Sequence, residues 1–92
     1  MIRIDEPKRW EGMTGNPYPQ ALWSHVWPDI PDKQGVKELH AFAKRLRLKR
    51  KWFQNKPGFP HYDITHAFYG DAIRLGAVRS SLAVWYRQRR VR

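Results

Sequence analysis

Five of the seven prolines fall between residues 6 and 31, and they constrain the chain more than any other feature. Pro7, Pro17, Pro19, Pro28 and Pro31, with Gly12 and Gly15 among them, leave no window in which a helix or a long strand is expected. Each proline removes a backbone donor and crowds the residues before it. The same stretch holds Trp10, Tyr18, Leu22, Trp23, Val26 and Trp27. Rings of that size pack a segment down, so residues 6–31 read as a long ordered loop with a functional role.

The rest of the chain alternates between two periods. Ile2 and Ile4 alternate with Arg3 and Asp5, the pattern of a first strand over 1–5. Asp32 is placed to cap a helix over 33–47, with Val36, Leu39, His40, Ala43 and Leu46 at helical spacing. Residues 48–53 read as a second strand. Residues 54–64 read as a loop, marked by Asn55, Pro57, Gly58 and Pro60. Thr65 is placed to cap a helix over 66–75, which Gly76 ends. A short β segment at 77–79 leads to Ser80 and Ser81, either of which can cap a last helix over 82–90. The order β-α-β-α-β-α predicts a single α/β domain, with a small three-stranded, mainly parallel sheet and about three helices. In such sheets a ligand sits beyond the carboxyl ends of the strands, where the loops gather.

Size and charge bound the function. At 92 residues one domain is the limit, which excludes separate cofactor and substrate domains. Cysteine is absent, so no disulfide or thiolate chemistry is available. No apolar run reaches the length of a membrane span, and no secretory segment opens the chain. A cytoplasmic protein without a membrane partner is the expectation. The net charge of +10 is uneven. Residues 1–46 hold seven Lys/Arg and six acids, whereas residues 47–92 hold eleven and two. The basic half suggests a polyanionic partner; the bland reading is a solvated face.

Two short segments can carry chemistry, Trp23-Ser24-His25 and His61-Tyr62-Asp63. Both lie on expected strand-end loops, which would bring His25 and His61 to one edge. Two imidazoles can serve as base and acid on a phosphodiester, with Asp63 orienting one of them. Each histidine taken alone reads as readily as a turn-stabilising residue. Trp10, Trp23 and Tyr62 are candidates to stack on a base, Ser24 to donate a hydrogen bond, and Arg9 or Arg79 to contact phosphate. His40 falls on the apolar face of the first helix. It is a buried histidine first and a residue of the pocket floor second. No cofactor is expected. His25, His61, Asp63 and His66 make a divalent metal conceivable, but their spacing matches no tight ligand pattern and the basic surroundings argue against a cation. No phosphate-binding glycine loop and no serine-nucleophile elbow is present.

The segments Leu22-Trp23-Ser24-His25-Val26, Glu38-Leu39-His40-Ala41-Phe42-Ala43, His61-Tyr62-Asp63 and Leu75-Gly76-Ala77-Val78 appear in that order. Together with Asp5-Glu6-Pro7 and Arg9-Trp10, they resemble the DUF4031 family of small bacterial and phage proteins over nearly the whole chain. The resemblance implies that Trp23, Ser24, His25, Glu38, His40, His61, Tyr62 and Asp63 are the family's hallmark residues here. It implies no defined activity. This chain departs from the family pattern by a longer proline-rich stretch at 14–19 and by Lys/Arg where the first helix ends.

The leading expectation is recognition of a phosphate-bearing nucleotide in a His/Arg/aromatic pocket, extending to His-dependent phosphodiester cleavage. In a phage such a protein would act on a nucleotide signal of host defence. A basic nucleic-acid-binding module and a protein inhibitor acting through the aromatic loop are the alternatives. A homodimer is compatible with all three.

Overall fold

In the computed structural model of the chain, residues 1–9 and 21–90 are described. Among these residues, six strands and three α-helices form a mixed α/β domain. In chain order these are β1 (Ile2–Ile4), β2 (Lys8–Arg9), β3 (Leu22–Pro28), α1 (Lys33–Arg45), β4 (Phe53–Lys56), β5 (Phe59–Thr65), α2 (Tyr69–Arg74), β6 (Val78–Arg79) and α3 (Leu82–Arg90). Single 3-10 turns precede β4 and α2.

The strands run β4-β5-β3-β1-β6, with β2 also paired to β3. Among the described residues β1 and β6 pair in parallel, and the other pairs are antiparallel. The expected three-stranded, mainly parallel sheet is therefore corrected to a larger mixed one. The strand expected over 48–53 is instead a 3-10 turn at Arg50–Trp52, and only Phe53 enters β4. Proline accounts for the strands that the expectation lacks. Residues 22–28 were expected inside a loop, yet they form the central strand. Pro28 stands only at its last position, paired with Ile2. Residues 54–64 were expected as a loop, yet they form a hairpin. Its turn holds Pro57 followed by Gly58 at φ 77°, the residue pattern of a type II turn. Pro60 lies where β5 pairs with β4 but no longer with β3, so its missing donor costs little. Trp10 and the rest of 10–20 lie outside the described residues.

The helices lie closer to expectation because their signals are local, except that Thr65 makes no side-chain cap and a 3-10 turn at His66–Phe68 precedes α2. The Asp32 carboxylate accepts the Gly35 N–H at 2.7 Å and starts α1. The helix stops at Arg45, with Leu46 as its C-cap. The next N–H groups turn back, Arg47 to the Lys44 carbonyl and Leu48 to that of Ala43. Gly76 and Ala77 close α2 in the same way on Ile73 and Ala72. Both are Schellman motifs. One uses Gly76 at φ 107°, the other forces Arg47 to φ 65°. Ser81 caps α3 through its hydroxyl, which accepts the Val84 N–H.

Each face of the sheet buries a different core. Ile2, Ile4, Val26, Tyr62 and Ile64 face Leu39, Phe42, Ala43 and Leu46 of the α1 segment and Ala72 of α2. On the opposite face Trp27, Phe59 and Trp85 pack together with Leu82, which docks α3. The Trp85 Nε1–H also donates to the Asp29 carbonyl at 3.0 Å.

Candidate functional site

His25 and Asp63 are register partners on β3 and β5. His61 lies two residues before Asp63, so strand alternation places it on the same face. This is the face that carries Trp27 and Phe59. The ring centroids of His25 and His61 are 5.4 Å apart, well within the reach that a shared phosphate requires. The site therefore sits on the face of the sheet that carries the α3 cluster, not at the loop edge that a parallel sheet would use.

Both imidazoles are held through Nδ1. Between β1 and β2 the chain breaks at Asp5-Glu6-Pro7, and the Asp5 carboxylate turns onto His25. Oδ1 accepts the His25 backbone N–H at 2.6 Å, and Oδ2 stands 2.7 Å from Nδ1. The Nδ1 of His61 stands 2.7 Å from the Phe59 carbonyl. A carboxylate and a carbonyl can only accept, so each Nδ1 carries the proton. In the neutral rings each Nε2 then bears a lone pair. Those Nε2 atoms face Asp63 Oδ1, at 3.3 Å from His61 and 4.0 Å from His25. The other Asp63 oxygen, Oδ2, accepts a hydrogen bond from the Gln54 amide. Phe59 forms the apolar wall. It stacks on His61 at 4.2 Å and meets the edge of His25 at 5.6 Å.

The remaining candidates divide. Trp23 shares the His25 face by alternation and is half-buried. Ser24 points the other way into the α1 core, fully buried, and its hydroxyl has no hydrogen-bond partner among the described residues. Tyr62 and His40 also lie on the α1 side. The Tyr62 hydroxyl meets His40 Nδ1 at 2.9 Å, and His40 stands edge-on to Phe53. Burial, with Arg50 nearby, lowers the His40 pKa from its ordinary value. Burial raises that of Tyr62 against an opposing effect of Arg50. Arg9 pairs with Leu22 on β2 and so faces away from Trp23. Arg79 pairs with Ile4 and lies over the Tyr69 ring. Tyr62, Ser24, His40, Arg9 and Arg79 thus face away from the side that carries His25 and His61, because successive strand residues face opposite sides, the pairing register carries that alternation across the sheet, and α1 packs on the other face. Three residues of the site are not among the candidates read from the sequence: Asp5 (named there only in the first strand and in the family resemblance), Gln54 and Phe59. Asp5 was legible in part, since the alternation of Ile2 and Ile4 puts it on the far face from them.

These features define a small α/β protein with a mixed sheet and a His/Asp cluster built from adjacent strands. No curated protein and no solved structure matches the chain. A family model does, that of DUF4031, described as a protein of unknown function, over residues 3–91, and the chain belongs to that family.

Proposed function

We propose that the chain recognises a phosphate-bearing nucleotide on the α3 side of the sheet, at His25, His61 and Asp63, and cleaves its phosphodiester there. One observation carries this reading: two imidazoles from different strands turn their Nε2 atoms onto one carboxylate. Imidazole is the side chain that both takes and gives protons near neutral pH. In the cleavage, one Nε2 takes a proton from the attacking water as its oxygen bonds to phosphorus. The bond from phosphorus to the leaving oxygen breaks, and the other ring, protonated, supplies that oxygen with its proton. Trp23 on the same face offers a surface for a base to stack on. Incubation with a panel of linear and cyclic nucleotides, followed by chromatography, tests this. Conversion of one nucleotide, abolished in His25→Ala and His61→Ala, is expected. Recovery of every nucleotide unchanged removes the catalytic step, and absence of binding removes the reading.

A second reading rests on the opposite face. Lys44, Arg47 and Arg50 line a cavity of about 420 Å³ beside His40 and Tyr62, and no carboxylate lines it. This favours a nucleic-acid contact through the basic half. Such binding falls steeply with salt and weakens on replacement of Lys49, Arg50 and Lys51, whereas binding at the histidines does neither.

A further inference from the structure

We infer that His25, His61 and Asp63 hold a divalent first-row transition-metal ion. The three offer one ligand atom each, and these atoms lie within 4.8 Å of one another. An ion at the centre of such a triangle stands only a few tenths of an ångström beyond the bond lengths of about 2.0–2.2 Å that zinc makes with His nitrogen and carboxylate oxygen. Small side-chain rotations close the difference.

The hydrogen bonds around the cluster fit an ion better than its absence. With the His61 Nδ1 donating to a carbonyl, its Nε2 lone pair confronts a carboxylate oxygen, and the Nε2 of His25 stands 4.0 Å from that same oxygen. Two acceptors in one space repel unless a positive charge stands between them, and a cation there lies within reach of all three residues. Asp63 Oδ1 is buried and makes no hydrogen bond among the described residues. Its 3.3 Å approach to His61 has the length of an ion pair without the alignment of a hydrogen bond. The surroundings match the outer shell of known metal sites: a carboxylate behind one histidine, a carbonyl behind the other, and an amide on the free oxygen of the carboxylate ligand. Two histidines and one carboxylate leave coordination positions for water or substrate. Imidazole ligands select zinc, copper, iron or nickel over magnesium and calcium, and the carboxylate extends the set to manganese.

The positive charge of the chain does not oppose this. Arg3 on the same face is engaged by Asp29 at 2.5 Å and by the Ser80 hydroxyl. Lys44, Arg47 and Arg50 line the cavity on the other face. Locally the cluster has two carboxylates, Asp5 and Asp63, beside two imidazoles.

The inference deepens the proposed reading of this face and rests on it only for where a phosphate would dock. With an ion bound, the two rings act as ligands, and the acid–base role passes from them to water at the open positions. Ion binding itself is measured without nucleotide. Protein lacking a histidine tag is stripped with chelator, then titrated with Zn²⁺ and Mn²⁺ by calorimetry and analysed for retained metal by mass spectrometry. One equivalent of at least one ion is expected. Asp63→Asn and His25→Ala should weaken binding at least about tenfold, and Asp5→Asn should weaken it about 10–100-fold through the orientation of His25. His40→Ala and His66→Ala should leave it unchanged. Circular dichroism confirms that each variant is folded. The d–d absorption of bound Co²⁺, lost in Asp63→Asn, gives a second readout. No bound ion in the wild type, or equal affinity in Asp63→Asn and wild type, overturns the inference. Nucleotide turnover that survives chelation, with no ion bound, leaves the proposed function standing alone. Ion binding without any turnover leaves the metal site standing alone.

Discussion

Gly35 and Gly70 both lie in helices, and the same substitution should act on them with opposite sign. Replacing a helical glycine with alanine ordinarily stabilises by up to about 1 kcal/mol, because the unfolded chain loses freedom it no longer has to give up. At Gly70 a Cβ would meet nothing within 4 Å. Gly70→Ala should therefore gain roughly 0.5–1 kcal/mol. At Gly35 the Cβ would stand 1.8 Å from the Ile30 carbonyl oxygen and 3.2 Å from the Pro28 side chain. An ordinary C···O contact is about 3.3 Å or more. The first turn of α1 would have to move off the 28–32 segment by roughly 1.5 Å, the difference between those two distances. That segment cannot yield freely, since the Ile30 carbonyl already accepts the Asp32 N–H at 2.9 Å. Overpacking of this kind costs about 1–3 kcal/mol. Loss of the Asp32 cap on the Gly35 N–H adds about 1 kcal/mol. Set against the propensity gain, Gly35→Ala should lose about 1–3 kcal/mol. For a chain of this size that lowers Tm by roughly 5–20 °C. Thermal unfolding followed by circular dichroism or calorimetry measures both variants under one buffer. A Gly35→Ala Tm at or above wild type would refute the close approach of helix and carbonyl on which the reasoning depends.

Arg47→Gly should stabilise by about 0.5–1 kcal/mol in urea unfolding, because it relieves a left-handed residue that Gly76 avoids in the matching motif; an unchanged midpoint counts against strain there. Trp85→Ala should cost about 3–5 kcal/mol by the same measurement, since Trp85 joins α3 to Trp27 and Phe59; a loss below about 1 kcal/mol would mean that α3 is not docked this way. His40 contributes a pH dependence of known sign. Its folded pKa lies below the ordinary 6.5, so the unfolded chain takes up that proton first as pH falls. The stability held by neutral His40 is full above about 6.5 and is lost as pH drops through and below that value. Tm should accordingly fall more steeply between pH 7 and 5 in wild type than in His40→Asn, and parallel slopes would contradict the burial argument.

The chain itself determines what depends on near neighbours. The Asp32 cap, the Gly76 stop, the Ser81 cap and the helix periods involve residues a few positions apart, and they appear where the sequence puts them. The alternation of β1, the brief β6 and the span of α3 follow for the same reason. Proline is where local reading failed. Pro28 and Pro60 look like strand breakers from their own chemistry, but their cost depends on whether a neighbouring strand needs the missing donor. That neighbour is set by pairing, not by sequence distance. The site divides along the same line. His25, His61 and Asp63 were legible as residue types able to carry proton transfer, and Trp23 as a ring beside them. That they meet, and that Ser24, His40 and Tyr62 stand on the opposite side, was decided by the antiparallel register of β3 on β5. A shift of one residue in that register would turn His25 toward a different partner, because side chains alternate faces at every step. Asp5 shows the same limit. It lies 20 positions from His25, and only the pairing of β1 and β2 along one side of β3 carries its carboxylate to the imidazole. The sequence determined which groups could react. The tertiary structure decided which of them share a space, because hydrogen-bonded register, unlike helix capping, is written between distant segments.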